Sequence, residues 1–159
     1  MLYRWIIFLH IFGAILFFMG HGATALAMFD IQKTRKPERI RALMGLRTTQ
    51  LWSFGGGSLL LIISSIALGF MGNWWRSGWV WASIILYIVI MIFMAVWGRG
   101  YYDSIEMLLD PKGEKAKKAK KPETRSLEEV LASGKTVLLT WIGVGGTAII
   151  LWLMLFKPF

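Results

Sequence analysis

The apolar residues of this chain run together in four long blocks, separated by polar or basic stretches. The blocks fall at about 2–28, 51–71, 79–97 and 137–156. Each is near or above the roughly 20 residues that carry an α-helix across a hydrocarbon core. Backbone groups at that depth have no water to bond, so such blocks close their own hydrogen bonds as helices. The pattern predicts an all-α membrane protein with one membrane domain over residues 1–159. Its expected form is a four-helix antiparallel transmembrane bundle with both termini extracytoplasmic.

The connections refine this picture. Residues 72–78 form a short turn, which makes the second and third spans antiparallel neighbours. Trp74, Trp75, Trp79 and Trp81 crowd that turn, and Trp97, Tyr101 and Tyr102 stand at the other end of the third span. Both groups read as aromatic belts at the membrane surfaces. The first long loop, 30–50, holds Lys33, Arg35, Lys36, Arg39, Arg41 and Arg47. Pro37 suits the first turn of a short helix there. Ile40, Leu43, Met44 and Leu46 would then lie on the bilayer, with the arginines among headgroups. The second long loop, 99–135, carries the run PKGEKAKKAKKPE, which has nothing apolar to bury and is expected to be solvated. Tyr101–Asp110 extends the third helix, and Ser126 with Glu129 has capping-box spacing for a short helix from Leu127.

Charge fixes the orientation. The two long loops, with Arg99, hold fifteen of the 18 lysines and arginines; the rest are Arg4, Arg76 and Lys157. The positive-inside rule puts both loops in the cytoplasm of a multi-pass protein of the cell inner membrane. Arg4 before an apolar run resembles a signal peptide, but the run is long and more spans follow, so it reads as a retained helix. The net charge of +9 therefore reports topology and contact with anionic lipid headgroups. It does not indicate nucleic acid, since no aromatic residue interleaves the basic run to stack on bases.

Composition removes some chemistry. With no cysteine, thiolate metal sites, iron–sulfur clusters and disulfides are excluded. After Arg4 at the start of the first block, no Asp, Glu, Lys or Arg lies within the hydrocarbon segments, which weighs against an autonomous ion pump. Glycines at 55–57 and at 143, 145 and 146 give small faces that favour close helix contact, and with it a homo-oligomer or a partner membrane subunit.

The candidate cofactor-binding residues are the only two histidines, His10 and His21, both in the first span. Eleven residues return to nearly the same helix face, about 16 Å apart along the axis. An imidazole in lipid is costly unless it faces protein, water or a cofactor. Haem b takes histidine ligands, but two residues so far apart cannot share one iron. A second ligand would come from another chain or from a methionine such as Met91 or Met94. Gly20 and Gly22 leave room beside His21. Without a cofactor, each histidine would hydrogen-bond a neighbouring helix, and Tyr87 and Ser83 are candidate partners of His10.

The opening LYRWIIFLHIFGAILFFMGHGA resembles a group of small bacterial membrane proteins known only as predicted integral membrane proteins of unknown function. It is also distantly similar to the copper-resistance D-type domain and to the bacterial membrane protoporphyrinogen oxidase. These share a first helix with a histidine followed by small residues, as in His10 with Gly13 and Ala14. The former likeness implies copper handling in or near the membrane, and the latter a haem-associated oxidation. The chain departs from the oxidase in having no lysine within the second or third span, and its nine methionines are scattered along the sequence. The function expected is a non-catalytic structural or accessory subunit of a membrane assembly. The alternative is a haem-b-binding or redox- or metal-associated membrane protein that uses His10 and His21.

Overall fold

The computed structural model describes residues 1–34, 36–113, 116–117 and 123–159, and of residues 47–49 and 51 the backbone alone. The basic run expected to be solvated falls largely outside these residues. The chain forms α1 (Leu2–Lys33), α2 (Pro37–Gly45), α3 (Arg47–Met71), a 3₁₀ turn (Trp74–Arg76), α4 (Gly78–Leu109), α5 (Leu127–Ala132) and α6 (Lys135–Phe156). Among the described residues, four helical stretches are long and apolar enough to cross a membrane: Leu2–Lys33, Trp52–Met71, Gly78–Leu109 and Leu127–Phe156. The last takes in α5 and α6 across a bend at Ser133 and Gly134, where Gly134 adopts a positive φ of 65°. The first helix runs past the expected 28 to Lys33, and the third past 97 to Leu109.

Glycines bring α1 and α3 into backbone contact. A Cβ on Gly57 would stand 2.9 Å from the Gly13 oxygen and from the Leu16 carbonyl carbon, and nearer still to the Phe17 nitrogen. One on Gly20 would stand 2.7 Å from the Phe54 nitrogen. Such approach is how helices associate in lipid, where burying apolar side chains gains little. Of the glycine run at 55–57, Gly57 does this packing, whereas Gly55 and Gly56 face open space. On the other side, Gly146 of α6 receives the Ile90 side chain of α4. The hydroxyls of Ser58 and Tyr87 join α3 to α4.

Two clusters hold the ends. At one end Tyr3 meets Trp74 edge-on, the Trp79 amide donates to the Phe159 carbonyl at 3.1 Å, and the Lys157 ammonium lies 4.8 Å from the Trp74 ring centre. At the other end Met28, Ile31, Ile40, Tyr101, Ile105, Val130 and Leu131 form the buried core. Between them Phe8, Ile15, Ile63, Ile85 and Ile149 face outward. That distribution suits a chain whose surroundings are themselves apolar.

Pro37 opens α2 as expected, but the apolar face of that helix does not lie on the bilayer. Ile40 is wholly buried in the end cluster, and Leu43 and Met44 pack against it; only Leu46 is exposed. Polar ties fold α2 back onto the helices: Arg39 pairs with Asp30 at 2.7 Å, and Arg41 donates to the Leu109 carbonyl at 2.7 Å. The α5 helix has the full capping box. Glu129 N–H donates to the Ser126 hydroxyl at 3.2 Å, and Ser126 N–H to the Glu129 carboxylate at 2.7 Å. Just before it, the Arg125 guanidinium, helped by the Ser104 hydroxyl, holds the Glu123 carboxyl down to about 2.

Candidate ligand cavity

His10 and His21 both turn toward protein, but their surroundings differ. His10 Nδ1 lies 3.1 Å from the Ser64 hydroxyl and 3.4 Å from that of Ser65, both on α3. Its partners are thus serines of α3. Tyr87 is engaged with Ser58, and Ser83 donates to the Trp79 carbonyl on its own helix. An imidazole amid lipid is tolerated when its nitrogen is satisfied in this way.

His21 stacks on Phe17, with planes 8° apart and centroids at 6.3 Å, and leans on Phe54. Its Nε2 reaches α6 at Gly143. A Cβ there would meet Nε2, with Cε1 at 2.9 Å and the Met94 methyl at 2.8 Å. Gly143 is therefore the notch that admits the imidazole between α1 and α6. His21 Nε2 is nevertheless buried without a hydrogen-bond partner.

Beside this imidazole lies a cavity of about 390 Å³, bounded by α1, α3, α4 and α6. Met28, Phe54, Met91 and Met94 supply apolar wall, and Thr24, Gln50 and Thr140 add polar groups. Two further lining residues, Tyr101 (2% exposed) and Thr136 (3% exposed), carry hydroxyls that are buried without a hydrogen-bond partner. Seven residues separate His21 from Met28, Gly143 from Thr136 and Met94 from Tyr101, so the cavity spans about 10 Å of helix length. The α4 helix passes it through a π turn at Met94–Gly98, which widens the helix where Met94, Ala95 and Gly98 line the space. Such turns recur at functional sites. Arg99 follows at the rim, exposed, with no hydrogen bond or ion pair among the described residues.

The volume is in the range of small-ligand sites. A buried polar atom with no partner costs about 1–3 kcal/mol. His21 Nε2, the Tyr101 hydroxyl and the Thr136 hydroxyl are three such atoms, closed off in the helix packing around this space. Among the described residues no group of three or more His, Asp or Glu is placed to hold a metal ion.

The structure separates the two histidines: His21 lines the cavity and His10 does not. It also brings Met91 and Met94 to the same space as His21. Sequence reasoning missed Tyr101, Thr136 and Arg99. Tyr101 passes for an interface aromatic, and Thr136 stands just ahead of an expected span. The one available signal was their clustering near span ends, which does not distinguish a binding site from a membrane boundary.

No curated protein and no solved structure matches the chain, and no comparison supports the expected likeness to the copper-resistance D-type domain or to protoporphyrinogen oxidase. The model of a family described as "Predicted integral membrane protein (DUF2269)" matches residues 4–158, nearly the whole length, and the protein belongs to that family.

Proposed function

We propose that this protein binds a small ligand within the membrane, in the cavity beside His21. The observation that carries this reading is a space of about 390 Å³ beside His21, lined by Thr24, Gln50 and Thr140 as well as by Met91, Met94 and Phe54. In the topology that goes with it, four antiparallel spans leave both termini outside and the basic loops in the cytoplasm, because fifteen Lys and Arg lie on the loop side and three on the other. Tyr101, Thr136 and Arg99 then sit at the cytoplasmic headgroup level, and His21 deeper in the same leaflet.

A compact or elongated ligand suits the space better than haem b. Iron ligation needs free room along the Nε2 direction for a broad macrocycle. Nε2 abuts Gly143, so haem b would have to part α1 from α6.

A second reading, a structural or accessory subunit, is favoured by His10, whose ring is already spent on Ser64 and Ser65. Protein purified in mild detergent, followed by absorption spectroscopy and native mass spectrometry, separates the readings. The ligand reading expects a retained small-molecule adduct that is weakened in His21→Ala, and a visible Soret band would identify it as haem. A colourless protein that retains no adduct, and whose melting no lipid extract raises, contradicts it.

A further inference from the structure

Half-buried polar residues of the cavity wall fall at one level of the bundle. His21 and Gly143 mark where α1 meets α6. Thr24 lies three residues beyond His21 on α1, and Thr140 three residues before Gly143 on α6. In the antiparallel arrangement proposed above, both steps lead the same way, by about 4.5 Å. Gln50 of α3 joins Thr24 there, with 3.2 Å between the Thr24 hydroxyl and Gln50 Oε1. Thr24, Gln50 and Thr140 thus form a belt of uncharged polar side chains drawn from three helices. Apolar wall borders the belt on both sides: Phe54, Met91 and Met94 in the direction of His21, and Met28 in the other.

The chemistry of the belt selects a type of ligand. A hydroxyl has one proton to donate and two lone pairs with which to accept. Thr24 donates to the Gly20 carbonyl and Thr140 to the Thr136 carbonyl, each at 2.8 Å and each one turn back on its own helix. What both hydroxyls retain is the capacity to accept. Arg99 is the one charged residue on the lining among the described residues, and it is exposed at the rim, past the belt. An ionised group at the belt would therefore lie among apolar walls and uncharged side chains, without a counter-charge beside it, which is strongly unfavourable. A neutral hydroxyl meets no such penalty, and it supplies the proton that the two threonines no longer have to offer.

We infer that the cavity binds an uncharged amphiphile bearing a hydroxyl group, which donates its proton at the Thr24–Gln50–Thr140 belt while its apolar portion lies along Phe54, Met91 and Met94. This rests on the proposed ligand-binding function and narrows it to one chemical class. Methionine side chains are flexible and polarizable, so that wall adapts to a hydrocarbon body of irregular shape.

The test uses the full-length protein in nanodiscs of uncharged lipid. Binding of dodecanol, of dodecyl methyl ether, which accepts but cannot donate, and of anionic dodecyl phosphate is measured by equilibrium dialysis at equal concentrations in the bilayer. The Ala25→Phe variant, whose ring would fill the space, serves as the blank for partition into lipid. Dodecanol should bind roughly two- to ten-fold tighter than the ether, the factor that one neutral hydrogen bond confers. Dodecyl phosphate should bind more weakly than dodecanol. The double variant Thr24→Val/Thr140→Val keeps the shape of both side chains and should bring the ratio of dodecanol to ether close to one, whereas Thr140→Ser should keep it. Thermal unfolding checks the fold of each variant, and the comparison of probes on wild type stands whether or not the double variant folds. Equal binding of dodecanol and ether by wild type, or a preference that survives in a folded double variant, overturns the hydroxyl assignment and leaves the ligand cavity standing. Dodecyl phosphate binding tighter than dodecanol overturns the uncharged ligand in the same way. Binding of none of the three above the blank overturns this inference, and the cavity reading falls with it only if the purified protein also retains no adduct.

Discussion

Adjacent glycines in α3 offer a sharp contrast, because Gly57 and Gly56 differ in one respect. A Cβ on Gly57 would stand 2.9 Å from the Gly13 oxygen and the Leu16 carbonyl carbon, where an ordinary contact begins at 3.4 Å. These are backbone atoms of α1 and cannot rotate away. Gly57→Ala therefore forces α1 and α3 apart by about half an ångström or more, loosening the pairing along Gly13, Phe17 and Gly20 as well. Overpacking of this kind costs about 1–3 kcal/mol. A Cβ on Gly56 meets nothing within 4 Å, so Gly56→Ala should be neutral or gain up to about 1 kcal/mol of helix propensity. The assay is reversible unfolding in mixed micelles, followed by tryptophan fluorescence. Gly57→Ala should unfold at lower denaturant than wild type, and Gly56→Ala at the same or higher. Equal shifts for the two variants would refute the helix contact on which the whole site is mounted.

Other consequences follow from single contacts. Removing the His10–Ser64 bond by Ser64→Ala should cost about 0.6 kcal/mol, up to roughly 2, as intramembrane hydrogen bonds do; the same unfolding assay should show no further loss in the Ser64→Ala/His10→Ala double variant beyond His10→Ala alone. Ser126→Ala removes the α5 cap and should cost about 0.5–2 kcal/mol, read as faster amide exchange over 127–132. Glu123 is held near 2 by Arg125, below its ordinary 4.5. Its contribution is therefore full above the ordinary value and lost as pH falls through about 2; Arg125→Gln should flatten the pH dependence of melting in that window, and an unchanged slope would count against the pair. Reporter fusions after Phe159 should read extracytoplasmic, and a cytoplasmic reading would invert the proposed topology.

The helices were legible because long apolar blocks have few alternatives in lipid. The capping box at Ser126 and Glu129 was equally legible, since it depends on spacing within one turn. The destination of α2 was not. Its apolar face at Ile40 looked suited to a bilayer surface, and only the polar ties of Arg39 to Asp30 and Arg41 to Leu109 turn it inward. The candidate site was half legible. Helical periodicity placed His10 and His21 on one face, but could not say that α3 would offer serines to one and α6 a glycine notch to the other. Met94 and Tyr101 of α4, Thr136 of α6 and His21 of α1 are brought to one space only through tertiary packing and the π turn at Met94–Gly98.

The central claim is that a small molecule occupies the cavity beside His21. Ala25 and Ala95 line that space from α1 and α4 with side chains that are methyl groups alone. Ala25→Phe should therefore fill it while leaving His21, Tyr101 and Thr136 in place. Native mass spectrometry of the wild type and Ala25→Phe, both released from the same mild detergent, measures occupancy directly. A discrete adduct on the wild type that is absent from a folded Ala25→Phe variant is the result expected. An adduct retained equally by both proteins, or absent from both, would contradict ligand binding in this cavity.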